Sequence, residues 1–294
     1  MAENPPICDY EGSDYQDVFW ETGGRAYEDG VEAVALKRLL PAGGARLLEL
    51  GAGAGRNTPR YQGFQQVTLL DYSRTQLERA RERLGESERY RYVAADVYRL
   101  PFVPGRFEAA TMIRTLHHLS QPQRALEQVS DVLEPEGVFI LEYASKRNLK
   151  AVLRYLLHRQ DWSPFSREPV EFVKLNFDFH PAAVREWLGE AGFSLQRQLT
   201  VSHFRIALLK RLVPLRLLVW LDSIAQLTGN LWQYSPSVFT RSIRKKGGPT
   251  ADEDAFFACP ACAAPLADTP PLLTCSNCGK IYPFEDGIYD FRQV

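Results

Sequence analysis

The stretch Leu47-Leu-Glu-Leu-Gly-Ala-Gly-Ala-Gly-Arg-Asn57 constrains this chain most, because an apolar run leads straight into three glycines at alternate positions. Gly51, Gly53 and Gly55 permit a tight turn without Cβ clashes, and they let a ligand lie against bare backbone amides beyond the carboxyl end of a strand. The spacing predicts a nucleotide cradle. A dinucleotide fingerprint would put its third glycine at position 56, where this chain has Arg56, and would open a long helix over a pyrophosphate. Glu49 inside the run and Pro59 soon after it fit a diphosphate site poorly.

With 294 residues, 45% of them hydrophobic and 24% charged, the chain can bury a full globular core and carry a second small unit. Thirty-five basic residues against 36 acidic ones leave a net charge of -1. That balance gives no general attraction for nucleic acid and leaves only a local basic face open. The start, Met1-Ala-Glu-Asn-Pro-Pro, lacks a basic region followed by an apolar core, so the expected location is cytoplasmic. Four of the five cysteines form two Cys-x-x-Cys pairs, which in a reducing compartment read as metal ligands before disulfides. Cys8 stands alone as an ordinary thiol.

Taken in order, residues 10 to 27 are rich in Asp and aromatic side chains. Tyr15, Trp20 and Tyr27 read either as packing for the next helix or as part of a lid over the cradle. Glu28 to Leu40 has apolar positions at helical spacing. Gln66-Val-Thr-Leu-Leu-Asp71 is a strand ending in an acid twenty positions beyond Gly51, where a carboxylate can accept two ribose hydroxyls. Ser73 with Gln76 forms a capping-box start for a helix with mixed charges. Arg91 to Asp96 is a third strand ending in an acid, with Val97 after it. Strand Phe107 to Arg114, helix Gln121 to Leu133 and strand Gly137 to Tyr143 continue a βαβ alternation that implies a parallel sheet.

The pattern Glu-x-Gly-x-Gly-x-Gly at 49–55 resembles the first motif of class I S-adenosylmethionine-dependent methyltransferases of the type 11 kind. Leu100-Pro-Phe, Arg106-Phe-Glu-Ala-Ala-Thr-Met-Ile, Leu116-His-His-Leu and Leu133-Glu-Pro-Glu-Gly-Val-Phe-Ile look like its remaining motifs in order. The resemblance covers about residues 28 to 201. It implies a Rossmann-like, doubly wound α/β fold with a mostly parallel seven-stranded sheet and helices on both faces. It also implies S-adenosylmethionine as cofactor. Glu49 would support the cofactor's amino end, Gly51, Gly53 and Gly55 its methionine part and ribose, and Asp71 the ribose. Tyr72 would pack on the adenine, Asp96 with Val97 would bind it, and Ile113 and Arg114 would line the reaction centre. Transfer would be an in-line displacement at the sulfonium methyl, aided mainly by alignment. His117 and His118 are candidates for a general base, or else pack or cap a loop.

Beyond the fifth strand, Asn148 to Gln160 is basic and leucine-rich, 161–179 is aromatic and broken by prolines, and His180-Pro181 opens a helix ending near Gly192. Phe193 to Val201 alternates like a strand, and Ser237 to Lys245 suits a last, antiparallel one. Between them, Ile206 to Gly229 is interrupted by charges, so it is no transmembrane span. It reads as an inserted core helix, a cap over a greasy acceptor, or a helix in peripheral membrane contact.

Lys246 to Asp254 has linker composition. Cys259-Pro-Ala-Cys262 and Cys275-Ser-Asn-Cys278 then supply four thiolates for one structural Zn2+. The predicted units are a methyltransferase-like domain at 1–248, with a helical insertion at about 202–236, and a zinc ribbon at 249–294. With Tyr282-Pro-Phe-Glu-Asp-Gly-Ile-Tyr-Asp-Phe291, the ribbon resembles the small activator subunit of tRNA and protein methyltransferases. The larger unit is expected to fold without it. The first function predicted is methylation of a small, partly apolar acceptor. The second is tRNA or protein methylation, if Arg197, Arg205, Lys210, Arg211, Arg216, Arg241, Arg244, Lys245 and Lys246 share one face. The third is a non-catalytic cofactor-binding scaffold. The oligomeric state is left open.

Overall fold

The computed structural model describes residues 5–8, 11–12, 24–245, 247 and 255–293. Tyr15, Trp20, Lys246 and most of the expected linker lie outside them.

Helix α1 (Ala26–Leu39) precedes β1 (Gly44–Leu50), whose apolar run ends in the glycine turn. There follow β2 (Phe64–Asp71), α2 (Arg74–Leu84), β3 (Tyr90–Ala94), β4 (Phe107–Met112), α3 (Pro122–Val132) and β5 (Leu133–Ala144). Ser73 Oγ accepts from the Gln76 amide at 3.3 Å, so α2 starts where the capping signal places it. Next come α4 (Leu149–Leu156), the hairpin β6 (Val170–Val173) and β7 (Asn176–Asp178), α5 (Pro181–Glu190), and β8 (Phe193–Val201). Two short helices, α6 (Ala207–Leu212) and α7 (Leu215–Ala225), are split by Pro214, and β9 (Ser237–Arg244) follows. The tail folds into β10 (Phe257–Ala258), β11 (Pro265–Leu266), β12 (Leu272–Thr274), β13 (Ile281–Glu285) and β14 (Ile288–Asp290).

The main sheet runs β12-β13-β14-β3-β2-β1-β4-β5-β9-β8. Its seven strands from β3 to β8 form the expected mostly parallel core, with β9 antiparallel to both β5 and β8. Strand residues alternate between two apolar layers. Leu48 and Leu50 of β1 pack with α3, α5 and the tail, while Leu47 faces the layer of α1, α2 and α7. Helix α7 is sewn to α1 by polar ties, since Tyr27 Oη donates to the buried Asp222 Oδ2 at 2.7 Å. Tyr27 therefore packs within the fold rather than over a cradle.

The tail departs from the expectation of a separately folded appendage. β14 adds in parallel to β3, Ile288 to Asp290 facing Tyr92 to Ala94, and so extends the sheet to ten strands. A sheet edge carries a row of unpaired amides and carbonyls, and the tail covers them. Phe256 meets Phe102 and Phe107 edge-on, and Phe257, which is fully buried, stacks on Phe102. The two units share one core.

Candidate active site

A cleft opens beyond the carboxyl ends of β1 to β4, the crevice where doubly wound sheets bind ligands. Its wall takes Gly51 to Ala54 from the glycine turn, Asp71 and Tyr72 after β2, Asp96 to Tyr98 after β3, and Ile113 to Thr115 after β4. Ile7 and Cys8 also line it, so this cysteine, expected to be incidental, stands at the cleft.

Gly51 has φ 67°, and a Cβ there would lie 2.0 Å from Thr115 Oγ1, so only glycine lets the two loops approach. At Gly53, φ is 53° and nothing stands within 4 Å of where a Cβ would be, which leaves a bare cradle. The Gly53 amide donates to Asp71 Oδ2 at 2.8 Å, and the Ser73 amide to Oδ1 at 3.0 Å. These two bonds fix the orientation of the Asp71 carboxylate at the mouth of the turn. Asp96 Oδ1 accepts from the Tyr98 amide at 2.9 Å, and burial raises its carboxyl above the usual range. It caps a turn, not a helix.

Three expected site residues stand off this wall. Gly55 packs against Leu84 and Ala80 of α2. Glu49 alternates to the sheet face beneath the turn, where it accepts from Thr58 Oγ1 at 2.6 Å and Tyr61 Oη at 3.2 Å. Burial pushes its carboxyl up to about 7. His117 does not line the cleft, and among the described residues its buried Nδ1 has no hydrogen-bond partner. Burial, then the neighbouring His118, holds it well below the ordinary imidazole value. His118 does line the cleft. Its Nδ1 sits 3.0 Å from the Leu175 carbonyl, which can only accept, so Nδ1 carries the proton and Nε2 is the basic nitrogen. Burial lowers its pKa too, which keeps it neutral near pH 7.

Next to the β4 wall lies a network of ions. Arg114, with φ 57°, gives its amide to Glu142 Oε2 at 2.8 Å and its Nε to Glu32 Oε1 at 2.7 Å. Glu32 also receives Arg56 Nη2 at 2.7 Å. Burial opposes the charge of Glu32, but Arg114 and Arg56 together hold its carboxyl below the usual range. Glu142 accepts from Ser237 Oγ at 2.6 Å, yet burial keeps it above that range. Asp178 is raised to about 6 by burial and by the charge of Glu142, against Arg205 and Lys146. Glu28 takes Lys210 at 3.0 Å and Arg205 at 3.5 Å. Glu28, Glu32, Glu142 and Asp178 were not among the expected site residues. One signal existed for the first two, because 28, 32, 35, 36 and 39 share the buried stripe of α1 and two of them are acids.

In the tail, the four sulfurs of Cys259, Cys262, Cys275 and Cys278 all lie within 4.8 Å of one another. Cys259 and Cys278 are 3.6 Å apart and Cys262 and Cys275 3.5 Å, far beyond a disulfide bond. Zinc–thiolate bonds of about 2.3 Å in a tetrahedron need sulfurs about 3.8 Å apart, so the donor set fits that ion. Tyr282 Oη lies 3.1 Å from the Cys259 sulfur, where its hydroxyl can donate to a thiolate.

Residues 48–141 match a family model described as a methyltransferase domain. Among curated proteins, the chain is 28% identical over 149 residues to a demethylmenaquinone methyltransferase of Clavibacter sepedonicus, covering 50% of this chain and 52% of that protein. It is 35% identical over 109 residues to the O-methyltransferase cnsE of Penicillium expansum, covering 35% and 40%. The chain thus spans about half the length of the curated relatives it matches. A solved complex between the Haloferax volcanii Trm112 methyltransferase activator and a putative methyltransferase contains a chain that superposes with a TM-score of 0.55. That match covers 79% of this chain and 95% of that one at 16% identity, so it speaks for the fold alone.

Proposed function

We propose that this chain, which carries a methyltransferase domain over residues 48–141, moves a methyl group from S-adenosylmethionine to an oxygen, nitrogen or carbon atom of a small, partly apolar acceptor. The observation that carries this reading is the fixed Asp71 carboxylate facing the bare Gly53 turn in one cleft. Asp71 would accept from the ribose hydroxyls, Tyr72 would cover the adenine, and Asp96 would accept from its amino group. The donor supplies a methyl on a sulfonium, a carbon already primed to leave sulfur. The chain's own contribution is alignment: the Glu32–Arg114 pair holds the end of β4, and the buried Ile113 gives the cleft an apolar wall. His118 Nε2 would take a proton from an oxygen or nitrogen acceptor. The names of the two relatives support an acceptor of this kind. Four reduced thiols placed to hold a structural Zn2+ support a cytoplasmic setting.

A second reading, tRNA or protein methylation with the tail as a built-in activator, draws on the Haloferax neighbour and on the docked ribbon. Four of the nine basic residues that would serve it are tied to partners within the fold. Arg244 is buried and donates to the Leu133 carbonyl, Arg241 donates to Leu39, and Lys210 and Arg205 pair with Glu28. A non-catalytic scaffold is the third. Incubation with labelled donor and a panel of quinols, phenols and tRNA separates the three. Labelled small product is expected; label in tRNA alone would favour the second, and donor binding without any transfer the third. One equivalent of zinc is expected in the full chain and none held tightly in Cys275→Ser.

A further inference from the structure

The segment 206–232 is packed the wrong way round for a surface helix. On α7, the buried positions are Leu218 and Asp222, and Asp222 is held by Tyr27 and His203. Leu217, Trp220, Leu221 and Ile224 follow the i, i+3, i+4, i+7 pattern, and all four are exposed. A helix of a globular protein normally turns that stripe toward the core. Ile206, Leu208, Leu212 and Leu215 extend the patch through α6, and beyond α7 Leu231 is 82% and Trp232 58% exposed.

The chain two residues beyond this segment is tied to the start of α4. The Leu149 amide donates to the Tyr234 carbonyl at 2.8 Å, and Arg147 Nη2 to Tyr234 Oη at 3.0 Å. Leu149, Leu153, Leu156 and Leu157 are exposed along α4 and its end. Within these two segments the exposed charges have one sign. Residues 146–160 contain no acid, and 206–232 contain only Asp222, which is buried. Lys150, Arg154, Arg159, Arg211 and Arg216 stand exposed among the leucines.

We propose that α4, α6 and α7 form a docking surface for an anionic lipid bilayer. Leucine and tryptophan side chains enter the boundary between headgroups and acyl chains, and the arginines and lysines meet lipid phosphates. Tryptophan is the residue that favours this interface. A second copy is a poorer occupant, because a two-fold contact would set Arg211 and Arg216 against their own like charges. The surface begins one residue after Arg205, which pairs with Glu28 beside the cleft. Docking would therefore bring the acceptor side of the proposed site toward the membrane, which extends the reading of a partly apolar acceptor.

The test is cosedimentation of the full-length, zinc-loaded protein with vesicles, in the absence of methyl donor. Vesicles of phosphatidylcholine with phosphatidylglycerol should carry the protein down, phosphatidylcholine alone should do so weakly, and added salt should release it. Trp220→Glu with Ile224→Glu, and separately Arg211→Glu with Arg216→Glu, should each lower partitioning by about tenfold or more. Far-ultraviolet circular dichroism checks that both variants stay folded. Absence of binding to anionic vesicles, binding unchanged in both variants, or a stable dimer that Trp220→Glu dissociates would overturn the proposal. Because no donor is present, these outcomes leave the methyl-transfer reading untouched.

Discussion

The two sides of the cleft are built by different means. On the proposed donor side, the polar groups sit at strand ends and are fixed by neighbours: Asp71 is held by amides of Ser73 and Gly53, and Asp96 by the amide of Tyr98. Beside the β4 wall, the groups come from distant parts of the chain and are fixed by charge. Glu32 and Arg114 are 82 positions apart, and Glu142 reaches Ser237 across 95. Main-chain donors give a site whose shape survives changes of pH and salt. A buried ion network gives one that depends on every partner being present. The first arrangement suits the methyl donor we propose, and the second the acceptor we propose.

The sharpest way to break this contrast is at His118. If the acceptor side does the proton chemistry, His118→Gln should lower turnover by about 10²–10⁴ for an oxygen or nitrogen acceptor while donor affinity stays the same. The rate should also climb with pH through a value below the ordinary imidazole pKa and then level off, since burial depresses that group. Steady-state kinetics decide it. A loss of only a few-fold would show that alignment carries the reaction. His117, which does not line the cleft, should tolerate the same change with little effect on turnover.

A comparable loss, read in stability, is expected at Glu32. Glu32→Ala leaves the buried sides of Arg56 and Arg114 without their shared partner, and removing one member of a buried pair costs about 3–5 kcal/mol. Urea unfolding measures it. A change below about 1 kcal/mol, the range of exposed pairs, would mean that water already screens this network.

A smaller effect, with a defined pH course, belongs to Glu49. Its folded value of about 7 lies above that of a carboxyl in the unfolded chain, roughly 4.3. The folded state therefore holds more protons between those values. The associated stability is full below pH of about 4.3, declines as pH rises toward 7, and is constant above. Glu49→Gln keeps an acceptor for Thr58 and removes the charge, so it should flatten that decline and stabilise the protein at pH 8 by about 1–3 kcal/mol relative to pH 5. Melting curves at the two pH values test it. An unchanged slope would move the titration to another buried acid.

The donor side was legible because its signals are local. Three glycines, then an acid at each of two strand ends, lie within fifty residues, and each carries its meaning in its immediate neighbours. Gly55 and Glu49 belong to the same motif yet serve its support, one packing on α2 and the other beneath the turn. Strand alternation, which sends Glu49 to the opposite side from Leu48 and Leu50, was available to show this. The other side was hidden because Glu32, Glu142, Asp178 and Arg205 meet only through topology. The tail was half legible. Its cysteine spacing pointed to the cluster of four sulfurs, but nothing in the spacing revealed that Ile288 to Asp290 would pair with the open edge of β3. The surplus of aromatic residues at 256, 257 and 291 was the available hint, since so small a ribbon has no interior for them.

The central claim, that the glycine cleft holds an adenosyl methyl donor by Asp71, is tested most directly by calorimetry with S-adenosylhomocysteine, the demethylated product, on the wild type and on Asp71→Ala. One site is expected in the wild type. Loss of hydrogen bonds to an uncharged ribose should weaken it in the variant by about 1–3 kcal/mol, roughly ten- to a hundredfold, with the fold intact. Equal affinity in a folded variant, or tight binding of a nicotinamide dinucleotide with none of the adenosyl ligand, would contradict the assignment.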